Sequence, residues 1–176
     1  MACNPLVYPC SPGFFASMIW AARCDVLSGK LIHLIEEHWG EITSRVLDEI
    51  RRDPGMVHFQ SIPEIELREM GQNVLNNLSH WLAAGHEDSL NRHYEELGRV
   101  RFAERVPLHE SVRALCILRE KMIDYVQEHF FAKNSLEFCA EEELERRLSR
   151  FFDILVCHMV KGYERALRLA AHVEAA

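Results

Sequence analysis

The sequence predicts an all-α fold, a helical bundle of about five main helices with a long C-terminal helix. Three observations carry this. Apolar residues recur every three or four positions through most of the chain, which is the period of one helix face. Only 8 Gly and 6 Pro interrupt the 176 residues. Leu, Glu, Arg and Ala, all strong helix formers, dominate the composition. No stretch shows the alternation of a half-buried strand with comparable strength. A chain of this length buries roughly 70% of its unfolded surface, so it forms a core without a disulfide or metal.

The elements are read in order. Residues 1–28 hold three of the six cysteines and three of the six prolines and lack Glu. They read as an irregular arm or a short packing helix preceding one helical domain over residues 29–176. The apolar run from Gly13 to Ala22 is too short for the ~20 residues that span a bilayer. No Lys or Arg precedes it, so it lacks the charged start of a secretory signal. A first helix runs from about Gly29 to Arg52, with Leu31, Ile35, Trp39, Ile42, Val46 and Ile50 along one face. Asp53-Pro54-Gly55 stops it, because Pro blocks the next turn and Gly permits a reversal.

Ser61-Ile62-Pro63-Glu64 is expected to open the second helix, with Ser61 capping and Glu64 reaching back. Its inward face is Leu67, Met70, Val74, Leu78 and Trp81, and Gly85 ends it. Acidic Glu87 and Asp88 suit the start of the third helix, which carries Leu90, Tyr94, Leu97 and Phe102. Pro107 begins the fourth, which continues to about Phe131. After the turn Lys133-Asn134-Ser135, a fifth helix from about Glu137 to Ala171 would be roughly 50 Å long. Glu142–Arg146 and Glu143–Arg147 are read as i,i+4 pairs in its first half. The run Phe151–Val160 is apolar nearly all round, as in a helix buried by its neighbours or by a partner chain.

Charge and motif exclude several functions. The formal charge is −7, from 20 Lys and Arg against 27 Asp and Glu, which disfavours a direct contact with nucleic acid. The glycine-rich phosphate loops and the nucleophile elbow are missing, so no catalytic residue is nominated. The cysteines show neither CxxC nor zinc-knuckle spacing. Cys116 and Cys157 lie in apolar runs and are read as reduced core thiols of a cytoplasmic protein. Ten histidines include His86 and His93, seven apart, but two imidazoles make an incomplete metal site. No cofactor is expected. The alternative is a globin-like protein binding haem or a small molecule, with His158 or His93 beside the pocket. A helical enzyme whose site no motif reveals, and a purely structural adaptor, are further alternatives.

The stretch His93 to Tyr125 is the most informative. Arg119 sits among Leu115, Ile117, Leu118, Met122 and Ile123, so its guanidinium must snorkel to a rim or find a carboxylate. Glu96, or Glu110 of a neighbouring chain, is the partner expected in the second case. Phe151, Leu155, His158 and Met159 are candidates for a ligand pocket or a dimer seam.

His93, Gly98, Arg101, Leu108, Glu110, Leu118 and Arg119 form a pattern: a His then an Arg toward one helix end, a turn with Leu-x-Glu, and Leu-Arg in the next helix. With the earlier HWGEITSRVLDEIRRDPG, this resembles the N-terminal domains of RsbR/RsbRD-type RsbT co-antagonist proteins, over about Leu31 to Arg168. The resemblance implies a globin-like, dimeric input domain that senses a signal in bacterial stress signalling without turning over a substrate. It also implies a signalling partner or a fused output module, such as a STAS domain or a helix-turn-helix region. His93, Arg101, Glu110 and Arg119 are then candidates for a polar signalling cluster.

Overall fold

The computed structural model describes residues 29–84 and 87–174. The proposed arm at 1–28, with Cys3, Cys10 and Cys24, lies outside the described residues, as do Gly85 and His86. Among the described residues every regular element is a helix. They are α1 (29–37), α2 (Trp39–Arg52), α3 (Val57–Ser61), α4 (Glu64–Ala84), α5 (Glu87–Ala103), α6 (Leu108–His129) and α7 (Ser135–Glu174). None is long and apolar enough to cross a membrane.

The expected first helix is two segments. A turn at His38 separates them (φ −107°, ψ 20°). The apolar stripe runs through the break, and Leu31, Ile35, Trp39, Ile42, Val46 and Ile50 are all buried. Periodicity reports the buried face and not the continuity of the backbone, which is why the break was invisible. The short α3 was missed because five residues carry too little periodicity to register. It also displaces the expected cap: Ser61 ends α3, and its hydroxyl donates to the His58 carbonyl at 2.6 Å. Pro63 takes over the start of α4, its carbonyl accepting from the N–H groups of Glu66 and Leu67. Glu64 does not reach back but pairs with Arg68 and Arg51.

The long C-terminal helix is longer than expected. Its 40 residues span about 60 Å at 1.5 Å each. Asn134 caps it, its side-chain oxygen accepting from Leu136 N–H at 3.1 Å and Glu137 N–H at 3.0 Å. Glu137 in turn accepts from the Lys133 N–H, so two donors left open by the helix start are satisfied. Ala140, Leu144, Leu148, Phe151, Phe152, Leu155 and Met159 form a buried stripe along α7. Other faces of the same run are wet: Asp153 and Cys157 are exposed. Cys157 is therefore not a core thiol, and Cys116 is half-buried. Arg146 turns to Glu143 rather than Glu142, while Glu143 also holds Arg147.

Two glycines set the closest helix approach. A Cβ on Gly98 of α5 would overlap the carbonyl oxygen of Met159, and one on Gly162 of α7 would overlap the carbonyl oxygen of Glu95. The two backbones touch at these points, and α5 and α7 pack as one tight pair. α6 lies against both α2 and α7. α4 approaches α2 and α5 more loosely, and the space left on that side is the site described next.

Candidate functional site

A cavity of about 230 Å³ lies where α2 to α7 converge. Trp39, Val46, Phe59, Val74, Leu115 and Leu118 are among its walls. Its exposed lining residues, Asn73 and His93, belong to α4 and α5, so the cavity opens between these helices. Gly71 keeps the α4 wall thin there: a Cβ on it would sit 3.3 Å from the Trp39 ring.

The polar groups at the cavity are few. Thr43 is satisfied within its own helix, its hydroxyl donating to the Trp39 carbonyl at 2.7 Å. Ser111, on the first turns of α6, is buried, and its hydroxyl oxygen has no hydrogen-bond partner. Arg101 is held at the rim. One guanidinium nitrogen pairs with the solvent-facing Glu104 at 3.3 Å, and the other lies 3.3 Å from the Met70 sulfur, a weak acceptor. Tyr94, below His93, is buried, and desolvation pushes its hydroxyl up to about 12 despite a hydrogen bond to Asn77. It is a neutral wall group at any physiological pH.

The sequence-derived candidates separate. His93, Arg101 and Met159 line the cavity. Glu110 is buried elsewhere and accepts the N–H of Phe59 in α3 at 3.0 Å. Arg119 pairs with Asp153 across α6 and α7 at 3.6 Å, an exposed contact. Neither carboxylate named for the buried-pair case is the partner of Arg119 within this chain: Glu110 holds α3, and Glu96 is engaged by Arg99. Arg119 takes the snorkelling course, its stem beside apolar residues and its charge at the rim. The four residues do not form one cluster. Phe151 and Leu155 are fully buried by the chain's own helices and do not line the cavity.

His158 lies outside the cavity lining. Its Nδ1 is 3.0 Å from Glu95, which Arg165 also approaches at 3.5 Å. An imidazole tied to a carboxylate on the outer side of the α5–α7 pair does not present itself to the cavity, and the globin-like haem reading has no support from it. Among the described residues no group of three His, Cys, Asp or Glu is placed to hold a metal ion. Sequence reasoning missed Ser111, Gly71 and Gly162. The signal for the glycines was a small residue inside a helix, which costs stability unless a close approach requires it.

The family described as the RsbT co-antagonist protein rsbRD N-terminal domain matches residues 40–176. No curated protein matches the chain.

Proposed function

The chain belongs to the RsbT co-antagonist protein rsbRD N-terminal domain family, and from that premise we propose that it is a non-catalytic input domain of bacterial stress signalling. In this reading a small ligand enters the cavity and shifts the α5–α7 pair against α4. A homodimer and a downstream signalling protein, or a fused output module, then read the new position of α7.

One observation carries the reading: the cavity wall and the tight helix crossing share residues. Leu97 and Met159 line the cavity. Gly98, next to Leu97, meets the backbone carbonyl of Met159. A ligand that moves Met159 therefore moves the contact that holds α7 on α5. Close-packed interfaces transmit such displacement rather than absorb it, provided that the ligand favours one packing over the other. The dimer is the part of this reading that rests on the family resemblance.

Native mass spectrometry of the purified chain tests both halves. The expected spectrum shows a dimer, with a bound small molecule or a dimer fraction that changes when one is added. A strictly monomeric chain whose mass and α7 amide exchange no small apolar compound alters would overturn the proposal.

A further inference from the structure

We propose that the cavity selects a small monocarboxylate of about ten non-hydrogen atoms with an apolar body, its carboxylate held by Arg101 at the mouth. The inference rests on the input-domain reading and adds the chemical class of the ligand.

Size sets the first limit. A cavity of ~150 Å³ accepts one benzene ring, so about 230 Å³ accommodates a body roughly half as large again. Lining sets the second. The walls are mainly aliphatic and aromatic, so the greater part of the ligand is apolar.

Charge sets the third. Arg101 and His93 are the lining residues able to carry positive charge, and no lining residue is acidic. His93, Leu97 and Arg101 are spaced by four along α5 and share one face of the helix. The Arg101 side chain is only 12% exposed, so its charge is partly desolvated and its attraction for an anion is less screened than at the open surface. Its present partners leave it unsaturated: a guanidinium offers five N–H donors, and Arg101 gives one contact to Glu104 and one to a thioether. A planar carboxylate matches that fork with two parallel hydrogen bonds. An ammonium would be repelled by Arg101 and would have to compete with it for Glu104.

The buried Ser111 hydroxyl is a second pointer. Buried hydroxyls are nearly always hydrogen-bonded in finished structures, and this one lines the same cavity with no partner. A ligand oxygen or a water carried in with it satisfies the group.

The test titrates octanoate, octan-1-ol and octylamine into the full chain. Calorimetry supplies the affinities, and the change in tryptophan emission, to which the wall residue Trp39 contributes beside Trp20 and Trp81, reports occupancy. The same titrations are repeated on Arg101→Gln. Octanoate is expected to bind at one per chain and about tenfold more tightly than octan-1-ol, with octylamine weakest. In Arg101→Gln, octanoate should fall to about the level of octan-1-ol, and an unchanged helical circular dichroism spectrum and unfolding midpoint show that the variant is folded. Equal binding of octanoate and octan-1-ol in the wild type, or octanoate binding that survives Arg101→Gln, overturns the carboxylate assignment and leaves the cavity as a ligand site. Failure of all three compounds to bind overturns the assignment and removes the cavity from the input-domain reading as well.

Discussion

Glu110 and Arg119 illustrate what a single residue reveals in sequence and what it conceals. Both stand out, because a carboxylate near an apolar turn and a guanidinium within an apolar run each need an explanation. A guanidinium in an apolar run either snorkels or finds a buried carboxylate, and Arg119 snorkels, reaching Asp153 at 3.6 Å. Glu110 instead accepts the Phe59 N–H at the start of α3, a helix that the sequence pattern does not disclose. Backbone donors are present at every non-proline residue and leave no mark in the sequence, so a carboxylate that serves one is recognised as unusual without its partner being identified. The consequence is measurable. Glu110→Ala removes the acceptor and leaves a buried N–H unsatisfied, which should cost about 1–3 kcal/mol in denaturant unfolding. Glu110→Gln retains an acceptor oxygen and should recover much of that loss. Arg119→Ala, whose ion pair is exposed, should change stability by less than about 1 kcal/mol. Equal losses at Glu110 and Arg119 would contradict this account.

Helices were the scale at which the sequence was most legible. All six residues assigned to the inner face of the first helical stretch are buried, as are Val74 and Leu78 of α4 and Leu90 and Tyr94 of α5. Periodicity encodes which side faces inward because burial is what selects it. The closeness of two helices is encoded differently, in a single missing side chain. Gly98 and Gly162 let α5 and α7 touch backbone to backbone, whereas a Cβ on Gly40 of α2 would meet nothing within 4 Å. The same substitution should therefore act in opposite directions. Gly40→Ala gains helix propensity and should stabilise the chain by up to about 1 kcal/mol. Gly98→Ala or Gly162→Ala forces the pair apart and should destabilise it by about 3 kcal/mol or more, overpacking outweighing propensity. Thermal unfolding of the three variants side by side checks this. A stabilised Gly98→Ala would mean that the crossing is looser than its geometry indicates.

At the scale of the whole molecule the feature that needs explaining is the cavity, and no local pattern announced it. A void arises where helices diverge, and divergence depends on crossing angles fixed by distant side chains. The residues that surround it read as ordinary core positions: Leu67 and Met70 of α4 belong to the predicted inward face, yet they are half-buried because that face borders an opening. An apolar void of this size costs up to about 5 kcal/mol of packing, a large fraction of a domain's net stability. A chain that retains such a loss trades it against something, and ligand binding repays it only when the ligand is present. This trade can be separated experimentally at Ala114, a small wall residue of α6. Ala114→Leu places three more carbons in the void and should raise the unfolding free energy by about 1–2 kcal/mol, while abolishing the tryptophan emission response to added ligand. Gain of stability with loss of response is the signature of a cavity kept for function. If Ala114→Leu instead lowers stability, the region is already close-packed around that methyl group, and the void cannot be the element that couples the mouth between α4 and α5 to the position of α7.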